Sequence, residues 1–170
     1  MTNYMNLSFD PDNPEILSNI DIEQLCKLLK IPLIACVSKN RLKDYKPVNG
    51  GYIINLMDSG GGGSHWVALW IHQNNAIYFD SFGEIYPYDV KKFVKNKNFY
   101  YNTDQIQHLT QDSCGYFCIF FLYMTHSNQH LYPRVLLNRF INVFSDNERD
   151  NDNILQKYLK NIVKKEKILL

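Results

Sequence analysis

The sequence predicts a single domain in which helices and strands enclose one buried core. The chain has 170 residues, of which 45% are apolar, and this is enough for one domain with a sizeable core. Residues 33–79 contain short apolar runs bounded by turn-forming residues, a pattern typical of strands. Residues 114–165 contain longer apolar patterns at helical spacing. The sequence has no repeats, low-complexity blocks or linkers, so we predict one domain over residues 1–170.

Composition and charge exclude several classes of protein. The formal net charge is +1, which gives no general attraction to nucleic acid or to an acidic membrane. The four cysteines lack the density of a disulfide scaffold, and none forms a CxxC zinc pair. We see no signal peptide and no apolar run of ~18 residues, so we expect no membrane span. A reducing, intracellular setting fits, and there a cysteine can remain a free nucleophile.

The N-terminal part of the chain predicts a surface segment, a helix and a strand. Residues 1–18 are polar and contain two prolines, so we expect them to lie over the surface. A short amphipathic helix begins at Asn19 or Asp21 and ends before Pro32. Its inward positions are Ile22, Leu25, Leu28 and Leu29. Residues 33–37 then form a predicted strand.

A glycine-rich segment follows the next predicted strand. Residues 38–51 are basic and turn-forming, and residues 52–56 form the strand. Gly60 to Gly63 then stand in a row, which excludes a helix or a strand interior. The segment is not a phosphate loop, because no GK[ST] follows it and the next element is a strand. It is either a flexible loop or a loop beside an active site, which would be mobile or closely approached by another backbone, and it ends before His65.

Two apolar runs predict a hairpin that brings His65 and Asp80 together. Residues 66–71 are apolar on both faces, as expected for a central strand, and residues 76–79 form the return strand. A turn near Asn74 pairs Asp80 with Ala68, and Phe82 with Trp66. His65 and Asp80 therefore emerge at the same end of the hairpin, where an aspartate can orient an imidazole. The alternative is that they are two unrelated polar strand ends.

The rest of the chain predicts three further helices and two short extended pieces. The helices cover residues 87–97, 134–144 and 151–165, and the extended pieces cover 99–102 and 106–109. The inward-facing residues of these helices are Val90, Phe93, Val94, Val135, Leu136, Phe140, Ile141, Ile154, Leu155, Tyr158, Leu159 and Ile162. This spacing predicts helices that each cover the core with one face.

Two sets of lysines are candidates for local binding of nucleic acid. One set lies on the predicted helix 87–97, and the other lies near the C-terminus, where we predict a basic, frayed tail over residues 164–170. The lysines are Lys91, Lys92, Lys95 and Lys97 in the first set, and Lys160, Lys164, Lys165 and Lys167 in the second. A solvated surface is the ordinary explanation of such a pattern. Binding of nucleic acid through these lysines would weaken steeply with salt.

The stretch around Cys114 predicts a cysteine on the first turn of a buried helix. Polar residues 110–113 lead into a predicted helix over residues 114–126, which is almost entirely apolar. Asp112 or Ser113 can cap this helix by accepting bonds from free backbone N–H groups. The helix dipole favours a thiolate at its start, and the free N–H groups can bind an oxyanion. The alternative is that Cys114 is a small apolar residue at the mouth of a core helix.

The sequence supplies every group that thiol catalysis needs. A thiol needs a base, for which His65 is best placed, and the base needs an orienting acid, for which Asp80 is adjacent. An attacked carbonyl needs hydrogen-bond donors, and a side-chain amide suits this role. The candidate amides are Gln105, Gln107 and Gln111. The remaining cysteines, Cys26, Cys36 and Cys118, are interpreted as packing residues.

Three segments together resemble the adenain family, the maturation proteases of adenoviruses, and the wider papain-like clan that includes the SUMO-specific proteases. The segments are GGGSHWVALW, YFDSFG and IQHLTQDSCGYFCIFF. Gln107 precedes Cys114 by seven residues, as in adenain, whereas the SUMO-specific proteases place the glutamine six residues before the cysteine. The separation of fifteen residues between His65 and Asp80 is at the short end for the family. The resemblance covers roughly residues 17–163 and is greatest to compact enzymes of adenoviruses, virophages and Polinton-like elements.

The resemblance implies both a fold and an activity. The fold is α+β, with a papain-like, adenain-type mixed central sheet flanked by helices and the nucleophile at the N-terminus of the central buried helix. The implied catalytic residues are Cys114 as nucleophile, His65 as base, Asp80 as orienting acid and Gln107 as oxyanion donor. The implied substrate-binding residues are Gly63, Trp66 and Gly115, which would line a channel that admits only glycines.

The implied activity is a viral cysteine endopeptidase that cleaves capsid precursors after Gly-Gly-type sites during virion maturation. The alternative is a deconjugase that removes ubiquitin-like modifiers from host proteins.

The resemblance also implies partners and a location. Viral structural precursors would be the substrates of a monomeric enzyme without a membrane partner, found in the virion and at the assembly site in the cytoplasm or nucleus of the infected cell. The chemistry needs no cofactor and no metal. Adenain is activated by DNA and by a viral peptide that forms a disulfide with a cysteine before the nucleophile, so either activator is a hypothesis here. The region between Asp80 and Gln107 contains no cysteine, which argues against an identical peptide link.

Overall fold

The computed structural model describes residues 15–61 and 65–168, the last two of these by their backbone alone. The strands are β1 (Leu33–Ser38), β2 (Gly50–Asn55), β3 (Trp66–His72), β4 (Asn75–Phe79) and β5 (Asn98–Tyr101). The helices are α1 (Asn19–Leu28), α2 (Tyr88–Phe93), α3 (Cys114–Ser127), α4 (Pro133–Ile141) and α5 (Asn151–Ile168). Two short 3-10 helices cover Lys39–Asp44 and Glu148–Asp150.

The five strands form one mixed sheet in the order β1-β2-β3-β4-β5. The outer pairs β1–β2 and β4–β5 are parallel, whereas β2–β3 and β3–β4 are antiparallel. Residues of α1, α3, α4 and α5 pack on one face, and α2 and the first 3-10 helix pack on the other. This architecture confirms the predicted α+β fold, a mixed central sheet flanked by helices.

The central strand β3 is buried on both faces, as its continuous apolar sequence predicts. Ala68 and Trp70 pack in the same layer as α3, while Val67, Leu69 and Ile71 pack in the opposite layer. Helix α3 contacts β3 on one side and α1, α4 and α5 on others. A helix that is apolar around its whole circumference must be buried in this way. The first residue of α3, Cys114, is therefore anchored to the centre of the domain.

A close approach of α3 to the sheet explains why β2 begins two residues before the predicted strand. Gly50 and Gly51 belong to the strand rather than to a turn. A Cβ atom on Gly51 would lie 2.8 Å from Cδ1 of Leu122, which belongs to α3. Gly50 has a φ of +135°, a conformation that side chains disfavour. Gly51 thus lets the strand pass closely beneath α3, whereas a Cβ atom on Gly50 would lie 2.7 Å from the Ile34 side chain of β1.

Three helices differ in extent from the prediction. Helix α2 ends at Phe93, because a tight turn that bonds the N–H of Lys97 to the carbonyl of Val94 leads directly into β5. Helix α4 ends at Ile141, after which the chain continues with tighter bonds between residues three apart. Helix α5 continues to Ile168, so the predicted frayed tail is helical up to that residue.

Some positions within the predicted elements also differ from the prediction. Val135 and Tyr158, predicted to face inward, are each 40% exposed. The ring of Tyr158 nevertheless stacks on Phe120, with centroids 5.4 Å apart, and so covers the core from its edge. Residues 106–109, predicted to be extended, form no strand, because the two N–H groups at positions 106 and 107 both bond the single carbonyl of Ser81.

The β3–β4 hairpin brings His65 and Asp80 to one end, as predicted, but its register differs by one residue. The prediction placed Asp80 opposite Ala68 and Phe82 opposite Trp66. The observed pairs include His72 with Asn75, and Ala68 with Phe79. The cause is a two-residue turn, 73–74, which Gln73 allows by adopting a φ of +54°.

The residues before α1 approach the core more closely than the predicted surface segment. Residues 1–14 of that segment lie outside the described residues. Leu17 is buried and packs against α3, where a Cβ atom on Gly115 would lie 3.2 Å from the Leu17 side chain. The indole N–H of Trp66 donates to the Leu17 carbonyl at 2.9 Å. A capping box between Ser18 and Asp21 then starts α1.

The turn after Asp80 requires glycine at position 83. Gly83 has a φ of +68°, and its N–H donates to the carbonyl of Asp80 at 2.9 Å. A Cβ atom at this position would lie 2.6 Å from the carbonyl oxygen of Thr103. Both the left-handed backbone and the close contact therefore exclude a side chain.

We expect Gly83→Ala to lower the free energy of unfolding by roughly 1–3 kcal/mol from backbone strain alone, and by more from the clash with Thr103. Gly60→Ala is the matched control, because Gly60 also has a positive φ, +94°, but no atom of the described residues lies within 4 Å of an added Cβ. Urea unfolding of both variants measures the difference. Equal losses would contradict a steric role for the Thr103 contact.

Candidate active site

Three predicted site residues meet at one end of the sheet because each lies at the boundary of an element. His65 directly precedes β3, Asp80 directly follows β4, and Cys114 begins α3. The carbonyl of His65 accepts a bond from the N–H of Leu56, which extends the pairing of β2 with β3 to this point. The histidine and the aspartate are thus fixed by the hairpin, and the cysteine by the buried helix packed on it.

His65 and Asp80 form a short, buried hydrogen bond. Nε2 of His65 lies 2.7 Å from Oδ1 of Asp80, and the aspartate side chain is fully buried. The same carboxylate oxygen accepts the N–H of Phe82 at 2.9 Å, and the Phe82 ring stacks on the imidazole with centroids 4.5 Å apart. These contacts fix the plane of the ring and leave Nδ1 as the nitrogen that can serve Cys114.

Asn102 holds the backbone of Asp80 in place. Its Oδ1 accepts the N–H of Asp80 at 2.9 Å, and its Nδ2 donates to the Asp80 carbonyl at 2.6 Å. Asn102 follows β5, the strand next to β4, so the two ends are tied together. Sequence reasoning missed Asn102, because only the strand pairing brings it next to Asp80.

Cys114 is buried and lines the same cleft as His65. Its side chain is one of the groups that raise the pKa of the imidazole. The cysteine occupies the first position of α3, where free backbone N–H groups and the helix dipole favour negative charge. Ser113 is the N-cap residue but makes no capping bond, contrary to the prediction, because its backbone (φ −87°, ψ 6°) does not adopt the extended conformation of a capping residue. Its hydroxyl instead donates to Asp152 at 2.6 Å.

The surroundings of His65 favour its protonated form. Burial lowers the pKa of the imidazole, but the hydrogen bonds to Asp80 and Cys114 and the charges of these two groups outweigh burial. Together, these interactions raise the pKa of His65 from 6.5 to about 9. At neutral pH the site can therefore hold an imidazolium next to the sulfur, which is the arrangement that favours a thiolate nucleophile.

The other three cysteines are in environments that keep them as thiols. Burial raises the pKa of Cys26 to about 12, raises that of Cys36 further, and raises that of fully buried Cys118 well above its ordinary value. All three lie in the core or at its edge, in agreement with their predicted packing role. Cys36 also lines the cleft that contains Cys114.

Gln107 differs from the two competing glutamines in its burial. It is fully buried, whereas Gln105 is exposed and Gln111 is partly exposed. The Gln107 amide is fixed by two bonds: Oε1 accepts the hydroxyl of Ser81 at 2.6 Å, and Nε2 donates to the Gln111 carbonyl at 2.6 Å. A primary amide has two N–H donors, so the second Nε2 hydrogen is left for a ligand.

A cleft of about 530 Å³ runs beside these side chains. Its wall includes Trp66, Leu17 and Met57, and its floor includes His65 and Cys114. Of the predicted substrate-binding residues, Trp66 lines the cleft, Gly115 lies under Leu17, and Gly63 falls outside the described residues. Polar groups that line the cleft are Ser18, Asn19, Ser38, Arg41, Asn55, Asp58 and Asp112.

The segment after β2 is attached to the first 3-10 helix, and both contribute residues to the lining of the cleft. Asn40 donates to the hydroxyl of Ser59 at 3.1 Å and accepts the Ser59 N–H at 3.0 Å, and Lys39 pairs with Asp58 at 3.2 Å. The described part of the glycine-rich segment, up to position 61, therefore borders the cleft that His65 and Cys114 line. This favours the second of the two interpretations that the sequence left open.

The described residues give two further results. No group of three or more histidine, cysteine or acidic side chains among them is arranged to hold a metal ion. None of the helices in the described part of the chain combines the length and the apolar character that crossing a bilayer requires.

No protein-family model matches the chain, and no curated protein matches it in sequence. Among solved structures, the chain resembles a crystal structure of the ASFV pS273R protease, with a TM-score of 0.60 and 16% identity over 91% of this chain and 71% of that chain. A second structure of that protease gives a TM-score of 0.43 and 16% identity, covering 66% of this chain and 42% of that one. The central domain of an uncharacterized Lpg1148 protein from Legionella pneumophila gives 0.44 and 15%, covering 89% and 98%.

The first of these similarities shows that the chain has the fold of a viral protease. The other two have TM-scores too low to support an argument. The finding is broader than the resemblance to adenain that the sequence motifs indicate, because it does not single out adenain among proteases of this fold. An identity of 16% shows the fold alone, so the roles of the site residues have to be argued from their geometry.

We expect the His65 imidazole to titrate near pH 9, and we expect Asp80→Asn to lower this pKa more than Cys114→Ala does, because the bond to Asp80 is the larger raising cause. NMR titration of the ring measures both shifts. The raised pKa also implies that the contribution of His65 to stability is fully present below 6.5 and is lost as the pH rises through about 9. An ordinary pKa in the wild-type protein would contradict the proposed coupling.

Proposed function

We propose that the protein is a cysteine endopeptidase of viral origin that cleaves structural precursor proteins. The observation that carries this proposal is the chain of contacts from Asp80 through His65 to Cys114 at the start of a buried helix, beside an open cleft. Base, orienting acid and thiol are the groups that acyl transfer needs, and they are within reach of one another. The shared fold with a viral protease supports the same reaction class.

The first half of the reaction forms a thioester. Transfer of the Cys114 proton to Nδ1 of His65 gives the thiolate and the imidazolium, which Asp80 stabilises through Nε2. The thiolate then attacks the carbonyl carbon of the scissile peptide bond and forms a tetrahedral oxyanion. Collapse of this intermediate breaks the C–N bond, and His65 returns its proton to the leaving amine.

The second half of the reaction consumes water. His65, now neutral, takes a proton from a water molecule that attacks the thioester carbonyl. The second tetrahedral intermediate releases the carboxylic acid, and the sulfur leaves as a thiolate next to the imidazolium. The cycle needs no redox partner, and every proton moves through His65.

The oxyanion in both steps needs hydrogen-bond donors, which we assign to two groups. One is the backbone N–H of Cys114 at the start of α3, where N–H groups have no partner within the helix. The other is the second N–H of Gln107 Nε2, whose amide is held by Ser81 and by the Gln111 carbonyl. An amide donor stays neutral at every relevant pH and does not compete for the thiol proton.

We propose that the cleft accepts glycines on the acyl side of the scissile bond. The indole of Trp66 is fixed by its bond to the Leu17 carbonyl, and the Leu17 side chain packs over Gly115. A wall held at both ends in this way cannot move aside easily. A substrate Cβ atom next to it would collide, whereas a Gly-Gly segment would pass.

The proposed setting is virion maturation, with viral structural precursors as substrates and the virion or the assembly site as the location. Incubation of the protein with capsid precursors of the same virus, followed by mass spectrometry of the new termini, tests this. We expect new C-termini that end in Gly-Gly. Cleavage of ubiquitin-like conjugates but not of the precursors would favour the deconjugase, and no cleavage of either would reject the protease.

Exposed lysines offer a site for a DNA activator, which we include as part of the proposal. Lys91, Lys92 and Lys95 are exposed on or just after α2, whereas Lys97 donates to the Gln73 carbonyl at 2.8 Å. Lys160, Lys164 and Lys165 are exposed on α5, and the side chain of Lys167 lies outside the described residues. Stimulation by DNA that is unchanged when the exposed lysines of both helices are neutralised would exclude these sites.

We expect Cys114→Ala to abolish peptide cleavage without loss of the fold, because it removes the thiol that interacts with His65. Cys118→Ala is the matched control: Cys118 lies one helical turn further along α3, fully buried, with a pKa raised by burial. Peptide turnover and thermal unfolding of both variants separate chemistry from stability. Wild-type turnover in Cys114→Ala, or equal loss in Cys118→Ala, would show that the nucleophile is wrongly assigned.

We expect Gln107→Ala to lower kcat by about 10²–10³ with little change in KM, which is the cost of one oxyanion donor. The control is Gln111→Ala, because Gln111 contributes its backbone carbonyl to the site and keeps that carbonyl in the variant. Steady-state kinetics on one peptide substrate decide between them. A large loss in Gln111→Ala with a near-normal Gln107→Ala would transfer the donor role to Gln111.

A further inference from the structure

The first turn of α5 touches both halves of the candidate active site. Asn151 and Asp152, the first two residues of this helix, are both buried. Asn151 bonds the backbone next to Gln107, and Asp152 bonds the residue before Cys114. Neither residue lines the cleft, so neither is placed to touch a substrate.

The Asn151 amide joins the chain next to Gln107 to the backbone of Ser145. Its Nδ2 donates to the Ile106 carbonyl at 2.8 Å and to the Ser145 carbonyl at 2.9 Å, and its Oδ1 accepts the Ser145 N–H at 2.8 Å. On the other side, the N–H groups of Ile106 and Gln107 both donate to the Ser81 carbonyl. The backbone before the Gln107 side chain is thus fixed from two directions.

Asp152 holds the start of α3. Its Oδ1 accepts the Ser113 hydroxyl at 2.6 Å, and both side chains are almost wholly buried. The other carboxylate oxygen, Oδ2, is buried without a hydrogen-bond partner in the described part of the chain. A carboxylate with one oxygen unsatisfied is costly to bury, although the start of a helix reduces the cost. The burial of the Asp152 carboxylate therefore indicates that its hydrogen bond to Ser113 is needed.

The segment between β5 and α3 explains why such a requirement exists. Residues 102–113 form neither helix nor strand, so no regular backbone ladder sets the distance from Gln107 to Cys114. One of the two proposed oxyanion donors, Gln107, lies near the middle of this segment, and the other, Cys114, directly follows it. Donors must lie within a few tenths of an ångström of the developing oxyanion to be effective.

We propose that Asn151 and Asp152 are positioning residues, which set the geometry of the oxyanion site by fixing Gln107 and Cys114 to one rigid helix turn. The proposal deepens the proposed function and rests on it for its catalytic meaning. It differs from ordinary helix capping, because the bonds run to two distant segments that carry the site rather than to the N–H groups of α5.

The kinetic test compares Asn151→Ala with Leu159→Ala. Leu159 is fully buried on the same helix but is absent from the active-site contacts, so its truncation destabilises α5 without touching the site. At a temperature where both variants are folded, we expect Asn151→Ala to lower kcat about tenfold to a hundredfold with KM nearly unchanged. Leu159→Ala should keep kcat. Equal losses in kcat would reduce Asn151 to a structural residue.

A double variant tests whether Asn151 acts through Gln107. In the Gln107→Ala background, Asn151→Ala should cause little further loss of kcat, because the amide that it positions is gone. Alkylation of Cys114 by iodoacetamide forms no oxyanion, so its rate should be unchanged in Asn151→Ala. Additive losses of kcat, or an equal fall in alkylation rate, would overturn the assignment.

The role of Asp152 is tested by comparing a conservative substitution with a truncation. Asp152→Asn retains an oxygen acceptor for the Ser113 hydroxyl and should keep most of the turnover, whereas Asp152→Ala should lose about tenfold or more in kcat. Equal loss in both variants would mean that the charge of Asp152, rather than its bond to Ser113, is required. That result would overturn the positioning role.

NMR of the Gln107 side-chain amide tests the placement without any turnover. In ¹⁵N-labelled protein, we expect Asn151→Ala to shift and broaden the Gln107 NH₂ pair, and Leu159→Ala to leave it unchanged. A wild-type protein without peptide cleavage would reject the proposed function, yet the NMR comparison would still decide whether Asn151 positions Gln107. An unperturbed NH₂ pair in Asn151→Ala would reject the inference by itself.

Discussion

The hydrogen bond between His65 and Asp80 is the interaction on which the rest of the site depends. A carboxylate with no exposure to solvent needs compensation, and an imidazole that can carry a proton lies 2.7 Å away. In return, the carboxylate raises the pKa of the imidazole in spite of its burial. The bond also fixes the ring so that Nδ1 is available to Cys114. The acid therefore sets both the charge state and the orientation of the base.

The sheet and the buried helix supply the rigidity that this arrangement needs. The hairpin fixes His65 and Asp80 through backbone pairing, and Asn102 ties the strand next to them to the same point. Helix α3 is buried on all sides, so Cys114 cannot move relative to the sheet without disturbing the core. The irregular segment before Cys114 belongs to neither the sheet nor a helix. The first turn of α5 holds it in place through side-chain hydrogen bonds.

The sequence predicts much of this site because several of its residues lie at the ends of elements that local sequence patterns identify. Continuous apolar runs identify the central strand and the buried helix, and the residues at their ends, His65 and Cys114, follow directly. Other features depend on tertiary contacts that no local pattern encodes. The register of the hairpin depends on the left-handed conformation of Gln73, and Asn102 and Asp152 reach the site only through the packing of distant elements. The capping role predicted for Ser113 is wrong because its backbone does not adopt the extended conformation that capping requires.

The central claim is that Cys114 is a nucleophile activated by His65 and oriented for acyl chemistry. The most direct measurement is the covalent adduct formed with an electrophilic peptide probe that ends in Gly-Gly, located by mass spectrometry. We expect one adduct, on the peptide that contains Cys114, whose rate of formation falls sharply in His65→Ala. An adduct on Cys26, Cys36 or Cys118 instead, or an undiminished rate in His65→Ala, would contradict it.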